Sequence, residues 1–204
     1  MGVGKDKTIR ESQLKNQKES SVTRRAFLRR PPKFLDSIMT KIESPKILDK
    51  IKPNIKKEFV TADLGCGWGF YSFALADLVG YKRKVYSVDL SKNCIRSIQE
   101  KAEKRGYQNI EAVASTAADL SFIKDNSVDF VFANGLLCSM ENNRESAVKE
   151  IIRILRQGGQ AFLSLGAAPP FGLVDETEWE NILKDFIVER GGDFKELWAV
   201  VSIK

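Results

Sequence analysis

Three glycines within five residues, Gly65, Gly67 and Gly69, follow directly on the apolar run from Phe59 to Leu64. That run carries the β-branched residues Val60 and Thr61 and reads as a buried strand with Asp63 near its end. Ala74, Leu75 and Leu78 continue at helical spacing, so the segment predicts strand, tight glycine turn, helix from about Tyr71 to Val79. Glycine is needed where the backbone takes positive φ or where a ligand lies against bare peptide. The turn also leaves N–H groups at the start of the helix, which suits an anionic or polar ligand group. A glycine-rich turn joining any strand to any helix would look the same locally, so the rest of the chain has to decide.

A chain of 204 residues is long enough to bury a full core in one domain. The apolar content of 43% and charged content of 29% are those of an ordinary soluble protein. No apolar stretch approaches the roughly 20 residues of a membrane span. The polar N-terminus has no apolar signal region, so a cytoplasmic location is expected. Cys66, Cys94 and Cys138 are scattered, without Cys-x-x-Cys spacing, and the chain has no histidine. That predicts reduced thiols and no metal site. It also removes the commonest general base near neutral pH, which counts against triad hydrolases.

The charge is uneven. Residues 1–58 hold 16 Lys and Arg against 7 Asp and Glu, whereas residues 59–204 hold 17 against 20. The basicity therefore belongs to the N-terminal part, and residues 1–33 read as a flexible basic arm ahead of a domain spanning 34–204. Arg24, Arg25, Arg29 and Arg30 cluster there, followed by Pro31 and Pro32. The cluster fits a phosphate-binding arm for nucleic acid, or simply a solvated tail.

Further along, Phe34, Leu35, Ile38, Met39 and Ile42 have helical spacing, and Ser44-Pro45 opens a short helix with Ile47, Leu48 and Ile51, Ser44 being its expected cap. A strand from Val85 to Val88 ends at Asp89. A helix from about Ser91 to Arg105 follows, with Ile95, Ile98 and Ala102 on one face and Gly106 as its stop. Strands are expected at Ile110–Ala114 and Val128–Ala133, then a helix over Arg144–Gln157, a turn at Gly158-Gly159 and a strand over Gln160–Leu165. A stiff apolar loop, Ala167 to Gly172, precedes a helix over Asp175–Lys184. Two final strands, Phe186–Glu189 and Leu197–Ile203, surround Gly191 and Gly192. Strands alternating with helices predict a doubly wound α/β sheet.

The dinucleotide fingerprint needs Gly-x-Gly-x-x-Gly, but Phe70 stands where its third glycine would be. Gly-x-Gly-x-Gly preceded by Asp63 instead resembles the first motif of the class I S-adenosylmethionine-dependent methyltransferases, of the type 11-like kind. The resemblance implies that Asp63 lies near the amino group of the methionine moiety. It also implies that the backbone at Gly65, Cys66, Gly67 and Gly69 approaches the donor. Asp89, ending the second strand, would accept from both ribose hydroxyls, with Leu90 beside it. A carboxylate suits a vicinal diol, which presents two donors side by side. Asp89 equally fits a nicotinamide-binding fold, or a cap for the helix near Ser91.

Ser115 to Phe122 resembles the family's third motif, in which an Asp-Ala pair holds the adenine; here Thr116 and Ala117 occupy those places, and Asp119 reads as a loop acid. Asn134 to Met140 resembles the fourth motif, which lies over the transferred methyl group, so Asn134 joins the expected donor contacts. Neither Asn-Pro-Pro-Tyr nor a Pro-Cys nucleophile pair is present. Cys138 would stand near the mouth of the site, as a reactive thiol or as a small buried hydrophobe.

Together these motifs imply an α/β, doubly wound, mostly parallel seven-stranded Rossmann-like methyltransferase sheet with a reversed last strand. S-adenosyl-L-methionine would lie across the carboxyl ends of strands one, two and four, and the helices before the first strand would fold over the cleft or pack on one side of the sheet. The implied chemistry is in-line methyl transfer to a small molecule, without an assigned catalytic base; Tyr71, Cys138 and Glu141 are the polar groups to test. Two other readings stay open: an RNA or protein methyltransferase using the basic arm, and a NAD-dependent oxidoreductase or non-catalytic nucleotide-binding protein.

Overall fold

The computed structural model describes residues 44–140, 142–165, 174–194 and 197–204. The expected basic arm, the helix from Phe34 to Ile42, Glu141 and the loop from Ala167 to Gly172 lie outside the described residues. The seven strands are β1 (Thr61–Leu64), β2 (Val85–Asp89), β3 (Ile110–Ala114), β4 (Val128–Asn134), β5 (Leu155–Ser164), β6 (Phe186–Gly191) and β7 (Trp198–Ile203). They form one sheet in the order β3-β2-β1-β4-β5-β7-β6. The pairs β1–β2, β1–β4, β2–β3 and β4–β5 are parallel, while β7 runs antiparallel to both β5 and β6. This is the expected doubly wound sheet with a reversed last strand.

Five helices accompany it among the described residues: α1 (Ser44–Ile51), α2 (Phe70–Val79), α3 (Lys92–Arg105), α4 (Arg144–Ile154) and α5 (Glu176–Leu183). Alternation along the strands divides the core between the two faces of the sheet. Val131 and Ala133 of β4 pack with Leu163, Ile151 and Trp179 on one face. Phe130 and Phe132 of the same strand pack with Leu75, Phe162 and Val200 on the other. On that second face Phe132 stacks on Phe162 at 5.3 Å between centroids, and Phe162 on Trp198 at 6.0 Å. Of the two expected positions for the helix before β1, the structure shows packing on the side of the sheet. Ile47, Leu48 and Ile51 of α1 join the Phe162 cluster, and Lys50 Nζ lies 3.9 Å from the centroid of Trp198.

The boundaries of β1, α4 and β5 depart from expectation for identifiable reasons. β1 begins at Thr61, because Val60 N–H donates to the Asp129 carboxylate at 2.7 Å instead of continuing the ladder. Helix α4 ends at Ile154, three residues before the expected Gln157, and β5 starts at once with Leu155 opposite Val128. The register then shifts in the Val128–Phe130 stretch. Gly158 takes φ +73°, and a Cβ on Gly159 would come within 2.9 Å of the Arg156 carbonyl oxygen and 3.1 Å of that of Val128. The paired glycines thus mark an irregularity inside β5 rather than a free turn before it. The side chain of Arg156, ion-paired with Asp129, holds this segment to β4.

Candidate donor-binding site

The order β2-β1-β4 places the topological switch point at the carboxyl end of β1, where an open α/β sheet forms its crevice. The glycine turn sits there. Gly65, Gly67 and Gly69 have φ of +74°, +50° and +84°, a region that favours glycine. The turn is stitched to the end of β2: Gly65 N–H and Cys66 N–H both donate to the Val88 carbonyl, at 2.8 and 3.0 Å. Asp89 completes the connection. One carboxylate oxygen accepts from Gly67 N–H at 2.9 Å and the other from Ser91 N–H at 2.8 Å. A carboxylate offers roughly four acceptor positions, so both oxygens keep capacity for further donors. Capping of α3 falls to Ser91, whose side chain accepts from Cys94 N–H. Asp89 is half-buried, and beside it Leu90 is 69% exposed.

Asp63 is different. It is 2% exposed, and among the described residues it has no cationic partner. The Ser72 hydroxyl donates to its Oδ2 at 2.6 Å. Burial raises its pKa to about 7; the Ser72 bond partly opposes the shift and the charge of Asp89 adds to it. Gly67 has no atom within 4 Å of where a Cβ would stand, whereas Gly65 and Gly69 are closed in by Leu136 and Ile98. The turn is therefore packed at its two ends and open in the middle.

The remaining expected contacts ring the same end of the sheet. Thr116, two residues past the end of β3, is half-buried and accepts from Ala118 N–H through Oγ1 at 3.2 Å; Ala117 behind it is buried in the core. Asp119 is an exposed loop acid whose carboxylate accepts from Ser121 N–H, as expected. Asn134 ends β4, and its Oδ1 accepts from the Ser164 hydroxyl at 2.6 Å. Ser164 Oγ in turn accepts from Gly135 N–H at 3.2 Å, so the two strand ends are tied together. Tyr71 lies half-buried against Phe132, with ring centroids 4.6 Å apart.

Cys138 is not at an open mouth. It is 6% exposed, and its thiol donates to the Gly135 carbonyl at 3.0 Å. Burial pushes its pKa up, so the thiolate needed for nucleophilic chemistry is disfavoured. Burial does the same to Cys66 and Cys94. All three cysteines are free and buried.

Sequence reasoning missed Ser72 and Ser164. A signal for the first existed: helical spacing puts Ser72 beside Phe73, Leu75 and Ala76 on the buried face of α2, where a polar residue needs a partner. Ser164 is the polar end of an apolar strand, a weaker signal. Among the described residues no cluster of Cys, Asp and Glu is placed to hold a metal ion, and no helix is long and apolar enough to cross a membrane.

A seven-stranded sheet of this order, with a reversed strand and an acid-flanked glycine turn at its switch point, defines the fold of the class I S-adenosylmethionine-dependent methyltransferases. Residues 62–159, just under half of the chain, match the family model described as a methyltransferase domain, which together with the fold supports a class I methyltransferase with S-adenosylmethionine as cofactor. Among curated relatives, the chain is 32% identical over 107 residues to a demethylmenaquinone methyltransferase of Anoxybacillus flavithermus (strain DSM 21510 / WK1). The match covers 52% of this chain and 44% of the relative, so the chain spans less than half the length of that protein. Among solved structures, a SAM-dependent methyltransferase from Aquifex aeolicus superimposes with a TM-score of 0.65 at 23% identity, covering 85% of this chain and 97% of that one. The cyclase SpnF superimposes with a TM-score of 0.62 at 18% identity, covering 71% of this chain and 58% of that one. The fold thus also carries chemistry other than methyl transfer.

Proposed function

We propose that this protein transfers the methyl group of S-adenosylmethionine to a small-molecule acceptor by in-line displacement. The observation that carries the reading is Asp63: a buried carboxylate without a cation among the described residues, beside a glycine turn that is open at Gly67. Such a carboxylate is costly unless a cation completes it. The donor has an ammonium group on its methionine end and fits that requirement; nothing in a nicotinamide cofactor needs a buried acid at this place. Asp89 accepts from the ribose hydroxyls with the lone pairs not used by Gly67 and Ser91, and Leu90 offers an exposed apolar surface to the base. Thr116 and Ala117 border the adenine, and Asn134 faces the methionine end of the cleft. Backbone at Gly65, Cys66, Gly67 and Gly69 lines the floor.

When bound, S-adenosylmethionine supplies an electrophilic methyl group on a sulfonium. The chain's contribution is then to hold that group in line with the acceptor and to exclude water, and positioning of this kind lowers barriers by roughly 7–11 kcal/mol. No general base is needed for an acceptor that is already nucleophilic, and none is assigned. The name of the curated relatives supports a small-molecule acceptor. The test is isothermal titration with S-adenosylhomocysteine and, in parallel, NAD, followed by a screen of metabolite extracts with donor labelled in the methyl group. Binding of NAD in place of the homocysteine analogue would overturn the reading.

A second reading, a nucleic-acid acceptor, rests on the charge asymmetry, with 16 basic against 7 acidic residues in 1–58. Removing residues 1–33 and measuring RNA affinity against salt separates the two. If affinity and its salt slope stay unchanged, the second reading fails.

A further inference from the structure

We propose that Ser72 is a positioning residue of the donor site: its hydroxyl holds one oxygen of Asp63 so that the other is presented to the donor's ammonium group. This rests on the donor reading above and deepens it. Ser72 is fully buried on the third residue of α2, and Asp63 is 2% exposed at the end of β1. Their contact of 2.6 Å lies in the range of a charge-assisted bond from a hydroxyl to a carboxylate. A buried carboxylate held at one oxygen loses rotational freedom, so its second oxygen has a defined direction before any ligand arrives.

The surroundings make the contact consequential. Asp89 of β2 and the Cys66 thiol of the turn both face Asp63 and disfavour its charge or have theirs disfavoured by it. On β2 the neighbour in register is Ser87, whose buried hydroxyl has no partner among the described residues. On β4 it is the apolar Phe132. Lys101 of α3 donates to the Trp68 carbonyl at 3.0 Å. Ser72 is therefore the side chain that favours the ionised acid, against burial that favours the neutral one. Binding of an ammonium ion requires the ionised form, so the site must release a proton on binding near and below neutral pH.

The test is titration of the full chain with S-adenosylhomocysteine, which keeps the ammonium group, from pH 5.5 to pH 8. Wild type should bind about thirty-fold more tightly at the upper end, as expected when the competent fraction follows one acid titrating near neutrality. Ser72→Ala should move the midpoint upward by about one pH unit, weakening binding at pH 7 severalfold while affinity recovers as the pH rises. Ser72→Thr, which restores the hydroxyl, should return the wild-type profile, and Asp63→Asn should bind weakly with no midpoint. The inference is overturned if Ser72→Ala keeps the wild-type affinity and midpoint, or if Asp63→Asn keeps the midpoint. Failure of wild type to bind at any pH would instead remove the donor reading itself.

Discussion

Gly69 and Ile98 are packed so closely that a Cβ on the glycine would lie 2.6 Å from Ile98 Cγ1. The contact joins the end of the glycine turn to the buried face of α3, within the cluster of Cys66, Phe73, Ile95 and Ala102. Gly69 also has φ +84°, which an L side chain resists. Gly69→Ala should therefore destabilise the protein by roughly 2–4 kcal/mol, summing backbone strain and overpacking. Gly67→Ala meets only the strain of its φ and should lose about 1 kcal/mol. Urea unfolding of the two variants separates these outcomes, and equal losses would contradict the packing described for the turn.

Asp89 links the turn, α3 and the proposed ribose site. Asp89→Ala should abolish most affinity for S-adenosylhomocysteine, at least tenfold by calorimetry, because it removes the ribose acceptor and frees the Gly67 and Ser91 amides it holds. Unchanged affinity would withdraw Asp89 from the site.

The buried acid makes stability depend on pH in an unusual direction. Folded Asp63 titrates at about 7 against 3.8 for the ordinary side chain, so the folded state holds a proton that the unfolded state has lost. Stability from this group is complete below about pH 4 and falls as pH rises through 7, by roughly 4 kcal/mol in all. Asp63→Asn mimics the protonated acid and lacks this slope. Its stability relative to wild type should rise between pH 5 and pH 8 in urea titrations without ligand. A constant difference between the two proteins across that range would refute the assignment.

Thr116 stands where the family resemblance expects an aspartate, and its oxygen is already engaged by Ala118 N–H. A hydroxyl is a weaker acceptor than a carboxylate, which can serve the same amide and an adenine amino group together. Thr116→Asp should tighten S-adenosylhomocysteine binding severalfold, measured by the same calorimetry. Weaker binding would place the adenine elsewhere.

Local chemistry makes much of this molecule legible in its sequence. Glycine at positions that need positive φ, apolar runs of strand length and residues spaced for a helical face are properties of short segments. They locate the turn, the strands β2, β3 and β4, and the last two strands, within a residue or two. The acid at each strand end, Asp63 and Asp89, was visible for the same reason. The packing of α1 on the sheet does not follow from the sequence, because an amphipathic helix specifies which face it buries but not against what. The boundary of α4 is not legible in the sequence, because Leu155 is compatible with either element and its pairing with Val128, far away in the chain, decides between them. The bonds from Ser72 to Asp63 and from Ser164 to Asn134 join different elements, so only the assembled sheet brings them together. Periodicity and backbone strain act over a few residues and can be read in order; the partner of a buried polar group is chosen by the topology, which sets which distant segments become neighbours.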